Sequence, residues 1–260
     1  MSGTLGTYGI LLAFLAAMFG LMTAAAQKAL GSDSLVRAGR WALGISAAGL
    51  TAALAALTAA FLGDQFSIQY VAEYSEKALP WGYKLAAVWA GQEGSFLLWA
   101  CLIAIFAWLA AWTLRRDQAD QQAPVIAVLS AVIAAFAGLM LFGHGPFAPA
   151  KQPMLDGFGL DPMLRHPAMI AHPPILFAGY AAFTVPLALL AGALISGRDD
   201  DRWVFQVRRW LLRGWALLTV GIFLGSWWAY VVLGWGGYWA WDPVENASLL
   251  PWLTATAAIH

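Results

Sequence analysis

The residues of this 260-residue chain with chemical content are a crowded run of tryptophans and four histidines. Residues 225–252 read GSWWAYVVLGWGGYWAWDPVENASLLPW. Trp227, Trp228, Tyr230, Trp235, Tyr238, Trp239 and Trp241 crowd into one stretch, and Trp252 lies beyond them. Gly234, Gly236 and Gly237 interrupt the run, so the backbone there can bend and approach a ligand closely. A glycine-spaced aromatic shelf offers flat apolar faces, and offset or edge stacking adds about 0.5–1.5 kcal/mol per aromatic pair. Such a shelf suits a large planar ligand, a porphyrin, better than a sugar or an ion. Trp227 and Trp228, near the end of an apolar run, fit an aromatic belt at a membrane interface equally well. Asp242-Pro243 closes the run in a turn-like step, with Glu245 and Asn246 able to cap the next helix. Asp242 either orients a neighbouring group or caps that helix, and its spacing favours the cap.

Each histidine carries an alternative. His172, in AHPPILFAGY, opens an apolar run and is followed by two prolines, which the first turn of a helix tolerates. Imidazole is a common axial ligand of haem iron, and a lone interfacial histidine is also an ordinary polar anchor. His260 lies 15 residues after Glu245, about 22 Å along a helix. Ionisable groups at that depth in a bilayer are functional by default; a neutral histidine there can also hydrogen-bond a neighbouring helix. His166 is a surface residue, a rim group or an alternative ligand, the first fitting best. His144, among glycines in FGHGPF, reads as structural. The one cysteine, Cys101, sits inside an apolar run, which rules out an intramolecular disulfide or a CxxC redox pair.

The elements that must position these groups are membrane helices. Hydrophobic residues make up 61% of the chain and charged residues 11%, against roughly 25% charged in a soluble domain. A net charge of zero argues against a nucleic-acid partner. Apolar runs of about 20 residues, enough to cross the hydrocarbon, lie near 7–27, 41–63, 95–114, 124–143, 172–195 and 209–232. A seventh begins near Asn246 and stops with His260, as expected of the N-terminal portion of a longer chain. The first run has no positive leader and no convincing cleavage site, so it is kept as a span. Connections 28–40, 115–123 and 196–213 hold Lys28, Arg37, Arg40, Arg115, Arg116, Arg198, Arg202, Arg208, Arg209 and Arg213. The opposite side has only Lys77, Lys84, Lys151 and Arg165. The positive-inside rule therefore places the N-terminus and the stretches 64–94, 144–171 and 233–245 outside. The expected fold is an all-α polytopic membrane protein, six complete spans plus the start of a seventh, forming one membrane domain over 1–260.

The stretch WGGYWAWDPVENASLLPWL resembles the tryptophan-rich WWD signature of haem-handling membrane proteins in cytochrome c maturation. It is more similar to the CcmF-type branch, the haem lyase subunit, than to the CcmC or CcsA branches, which share only the WGxxWxWD core. HPPxLxxGY around His172 resembles that family's haem-ligating histidine on the outer side of the membrane. The resemblance implies that residues 225–252 are a WWD-type segment in which Trp228, Trp235, Gly236, Gly237, Tyr238, Trp239, Trp241 and Asp242 hold an incoming haem, with His172 on its iron. It implies a second, resident haem b on His260, whose other ligand lies beyond this sequence; two iron ligands at different depths suggest that this haem passes on electrons from a quinol. It further implies that haem arrives from the chaperone CcmE. With CcmH, it is then joined through thioethers to CxxCH thiols of apocytochrome c on the periplasmic face of the bacterial inner membrane. Arg165 and Lys151 are the outward cations nearest His172 in sequence and candidates for the haem propionates. LPWGYKLAAVWAGQEGSFLLW at 79–99 is also similar to the family, which often has a histidine before the Glu-Gly-Ser where this chain has Gln92; Glu93 stays as a helix N-terminal residue. A nitrite-reductase-type paralogue carries nearly the same motif. The rivals are a transporter, which should show several ionisable residues within its spans, and a haem b/quinol electron-transfer subunit, which should show paired intramembrane histidines.

Overall fold

A computed structural model describes residues 2–114, 119–152, 154–197, 202–232, 234 and 236–260. Among the described residues, nine α-helices run in the order α1 (Ser2–Leu30), α2 (Asp33–Leu62), α3 (Gln69–Tyr74), α4 (Trp81–Ala87), α5 (Gln92–Thr113), α6 (Ala119–Phe142), α7 (Pro167–Ile195), α8 (Arg202–Val232) and α9 (Pro243–Ile259). Six of them are long and apolar enough to cross a membrane, so this is a multi-span membrane protein. Most helices begin several residues before the apolar runs that announce them. Hydropathy sees the hydrocarbon, whereas a helix continues through its polar first turn into the headgroup region. The connection between the first two spans thus shrinks from 28–40 to Gly31 and Ser32, with Gly31 at φ +62°. The seventh helix begins at Pro243 rather than near Asn246, because Asp242 caps it.

Packing is set by small residues that let backbones approach. A methyl placed on Gly9 of α1 would stand 2.6 Å from the Gly49 carbonyl of α2, and one on Gly49 equally close to the Gly9 carbonyl. Membrane helices pack this way because lipid tails supply no hydrophobic drive between helices, leaving close contact and hydrogen bonds to hold them. One such bond runs from the Ser46 hydroxyl to the Ala13 carbonyl at 3.1 Å. Around this pair α5, α6 and α7 complete a five-helix bundle, its interior filled by Leu50, Leu57, Leu97, Ile103 and Leu129. Helix α8 packs on α7, and α9 on α8, at the side of the bundle.

The ends of the spans that carry α3, α4 and the 144–166 connection form a structured layer, here the loop face. Its hub is Tyr70, whose hydroxyl accepts the Gly91 N–H at 2.9 Å and faces the Val88 carbonyl at 3.2 Å. Burial pushes that hydroxyl's pKa up. Lys84 and Asp64 form a largely buried ion pair at 2.6 Å, and Arg165 pairs with Glu76 at 2.9 Å. An antiparallel bridge joins Ile68 to Pro149. Asp156 Oδ1 accepts the N–H groups of Lys77 (2.9 Å) and Gly157 (2.8 Å), locking the 144–166 connection onto the turn after α3.

Candidate functional site

His166 caps α7: its Nδ1 accepts the Ala168 N–H at 3.2 Å, and Pro167 at the first position has no N–H to satisfy. His172 therefore lies in the second turn of α7 and not at the helix start. Pro173, inside the helix, leaves the Met169 carbonyl four residues earlier without its helical donor. The Trp89 indole donates to that carbonyl at 2.9 Å. The proline after the histidine thus ties α7 to the loop face just before α5.

Across from it, α8 presents glycines. His172 Nδ1 lies 2.8 Å from the Gly221 carbonyl. A carbonyl only accepts, so Nδ1 carries the proton and Nε2 keeps its lone pair. A methyl on Gly225 would stand 2.6 Å from His172 Cε1, and one on Gly221 2.9 Å from Leu176 Cα. The Trp228 ring sits 6.2 Å from the imidazole at 31°, and Trp227 packs against His166 at 5.3 Å.

The segment after α8 is a set of pairs rather than one shelf. Tyr238 stacks on Tyr230 with centroids 4.4 Å apart and planes 8° from parallel, folding the loop back on its own helix. Trp239 and Trp241 meet edge to face at 6.1 Å. Trp241 adopts φ +61°, a left-handed conformation uncommon for a bulky residue. Hydrogen bonds made by its neighbours hold it there. Asp242 accepts the Glu245 N–H at 2.7 Å, Glu245 Oε2 accepts the Ala240 N–H at 2.7 Å, and Asn246 donates to the Trp241 carbonyl at 3.0 Å. Asp242 and Glu245 form a capping box for α9, the role that the spacing of Asp242 favours. Gly236, at φ +76°, supplies the bend, and Gly237 comes directly after it. Trp235 lies outside the described residues.

Deeper along the same two helices, Trp215 and Trp252 stack at 5.8 Å. The Trp215 indole donates to Thr256 at 2.8 Å and the Trp252 indole to Thr219 at 2.7 Å. This reciprocal clasp fixes α9 against α8. Above it, Thr219, Phe223, Trp239, Trp241, Leu249 and Trp252 surround an almost wholly apolar crevice of about 450 Å³. A smaller cavity of about 100 Å³ adjoins it through Ile222, Ser226 and Trp239, and is lined by His172, Gly225, Trp228 and Asp242. Small-molecule sites run to about 300–1,000 Å³: the crevice has room for a planar ring, whereas the cavity before His172 takes only an edge.

The family model for the Cytochrome C assembly protein matches residues 89–260. The chain belongs to that cytochrome c assembly family. Two relatives show the same likeness. It is 48% identical over 212 residues to the probable cytochrome c-type biogenesis protein NrfE of Escherichia coli, covering 81% of this chain and 38% of that one. It is 44% identical over 234 residues to the cytochrome c-type biogenesis protein CcmF of Pseudomonas aeruginosa, covering 87% and 34%. Among solved structures, the cytochrome c heme lyase CcmF superposes with a TM-score of 0.86 at 35% identity, covering all of this chain and 41% of that one. The chain therefore spans little more than a third of the length of these relatives.

For a cytochrome c assembly protein, the residues beside His172 suit haem. An imidazole nitrogen has a lone pair, an apolar crevice adjoins it, and the Trp228 and Trp239 indole N–H groups are buried with no partner among the described residues. The described residues hold no cluster of three histidine, cysteine or acidic side chains. His260 follows the last residue of α9 as its C-cap and is exposed. His144 is exposed after α6, and Gln92 is exposed at the start of α5 with Glu93 in its first turn. Arg165 is committed to Glu76 and to the Leu160 carbonyl at 2.8 Å; Lys151 is exposed. Gly221 and Gly225 are site residues that the spacing of aromatics and histidines does not reveal. Their signal in the sequence is a small-xxx-small pair, GIFLG, on a membrane helix.

Proposed function

We propose that this chain is the haem-receiving part of a cytochrome c haem lyase of the CcmF type. The observation that carries the proposal is His172, which lines the cavity beside the 225–252 segment while the Gly221 carbonyl holds its Nδ1 and leaves Nε2 with its lone pair. Haem, delivered by a CcmE-type chaperone, is the substrate. His172 takes one axial position on its iron. The segment's Trp228, Trp239 and Trp241, the loop glycines Gly236 and Gly237, and Trp235 accommodate the ring, while Tyr238 and Asp242 brace the loop that carries them.

Cysteine thiols of a CxxCH segment in apocytochrome c, presented with CcmH, then add across the two vinyl groups. Each S–H bond breaks, a C–S bond forms, and the proton goes to the terminal vinyl carbon, so no oxidant is consumed. Cys101 is buried inside α5, which favours both sulfurs coming from the apocytochrome. His260 is the ligand of a resident haem b. Such a group supplies electrons, drawn from quinol, that keep the substrate iron ferrous. Residues 1–260 act as one membrane domain, with the loop face toward the periplasm of a bacterial inner membrane. A pure haem b/quinol electron-transfer subunit needs paired intramembrane histidines. His172 lies in the second turn of α7 close to the loop face, whereas His260 lies 15 residues after Glu245, so the two do not form such a pair.

The test is a reduced-minus-oxidised optical spectrum of the full-length protein beside His172→Ala and His260→Ala. A resident b-type signal lost only in His260→Ala, with capture of added haem lost in His172→Ala, is the expected result. Undiminished capture in His172→Ala overturns the proposal.

A further inference from the structure

We propose that Gly221 and Gly225 are positioning residues that select the nitrogen His172 presents; the inference rests on the haem-receiving role above. A histidine's ligating nitrogen is set by the hydrogen bond its other nitrogen makes. Here the partner is a helix carbonyl, Gly221 at 2.8 Å. It is reachable because neither glycine has a side chain in the way. A methyl on Gly221 would strike the Leu176 backbone at 2.9 Å and push α8 from α7. One on Gly225 would strike the ring itself, 2.6 Å from Cε1, 3.1 Å from Nδ1 and 3.2 Å from Nε2.

Ordinary helix packing does not account for both. Gly214, on the same helix, meets the Phe183 ring at 2.8 Å, an apolar contact with no polar consequence. Of the three glycines within α8, Gly225 is the one whose missing side chain is occupied by an imidazole. The two lie four residues apart, hence on one face of α8. One supplies the acceptor and the other the gap into which the ring fits. With the ring displaced, the bond to Gly221 is lost, the proton moves to Nε2, and Nε2 no longer offers a lone pair beside the cavity that His172 lines.

The experiment is ¹⁵N NMR of histidine-labelled, haem-free full-length protein in lipid bilayers, with His172 assigned by its absence in His172→Ala. The wild type should show Nδ1 protonated and Nε2 bare. Gly225→Ala should shift His172 to the Nε2–H form, and, in a separate preparation that keeps its resident haem, haem added alone should bind the His172 site about 10- to 100-fold more weakly. A wild-type Nε2–H form overturns the seat even if Gly225→Ala fails to accumulate. Unaltered tautomer and haem capture in a folded Gly225→Ala also overturn it. His172→Ala that captures haem as well as the wild type overturns the haem role instead, whatever the tautomer.

Discussion

Trp241 is a residue in a costly backbone state at a chemically loaded position. A left-handed conformation costs a residue with a Cβ about 1–2 kcal/mol, and here it is offset by the bonds of Asp242, Glu245 and Asn246. Asparagine tolerates that conformation better. Trp241→Asn should therefore leave thermal stability unchanged or raise it by up to about 1 kcal/mol, while haem capture falls; a large loss of stability would show that the strain is not where the dihedral places it. A second residue sets a pH limit on the loop face. The Lys77 and Gly157 N–H groups on Asp156 hold its carboxyl below the usual carboxylate range. Because the folded value is depressed, the anchor is fully present above the unfolded value of about 3.9 and is lost as pH falls through the lower folded value. Amide exchange should show Lys77 and Gly157 losing protection together on acidification, and Asp156→Asn should abolish that dependence.

Helices carry the next set of consequences. Replacing Thr219 and Thr256 by valine strips acceptors from the Trp252 and Trp215 indoles. Interhelical bonds in membranes average about 0.6 kcal/mol and reach about 1.7 kcal/mol. The double variant should lose about 1–3 kcal/mol by that measure, with amide protection falling in α9 and not in α1 or α2. Gly49→Leu should be worse, since the Gly9 carbonyl lies 2.6 Å from its first added carbon; loss of stable protein on expression is the expected outcome. At this scale the sequence was informative about helices and poor about their ends. Apolar runs located all six long spans because the hydrocarbon demands them. The start of α7 escaped because capping by His166 depends on side-chain geometry rather than hydropathy, whereas the Asp242 cap of α9 was legible from its spacing. The tryptophan segment was legible as a site by its crowding and its Asp-Pro step. Its resolution into Tyr230–Tyr238 and Trp239–Trp241 pairs was not, because the same spacing serves a flat shelf or a folded loop. Nor was the acceptor of His172, since Gly221 lies 49 residues away.

The whole molecule makes one prediction about sidedness. With Cys101 replaced by alanine in a background free of other cysteines, His144→Cys should react with an impermeant maleimide in intact cells. Ser34→Cys should react only after permeabilisation, and the reverse pattern would invert the proposed orientation. The side-mounted position of α8 has a separate consequence. Only 17% of its most apolar stretch is buried, against 39–56% in the other five spans, and its contacts run mainly to α7, with α9 beyond. During synthesis the five-helix bundle can close before α8 leaves the translocon, and until α8 arrives the His172 Nδ1 lacks the Gly221 carbonyl. Arrival of α8 completes the imidazole's surroundings.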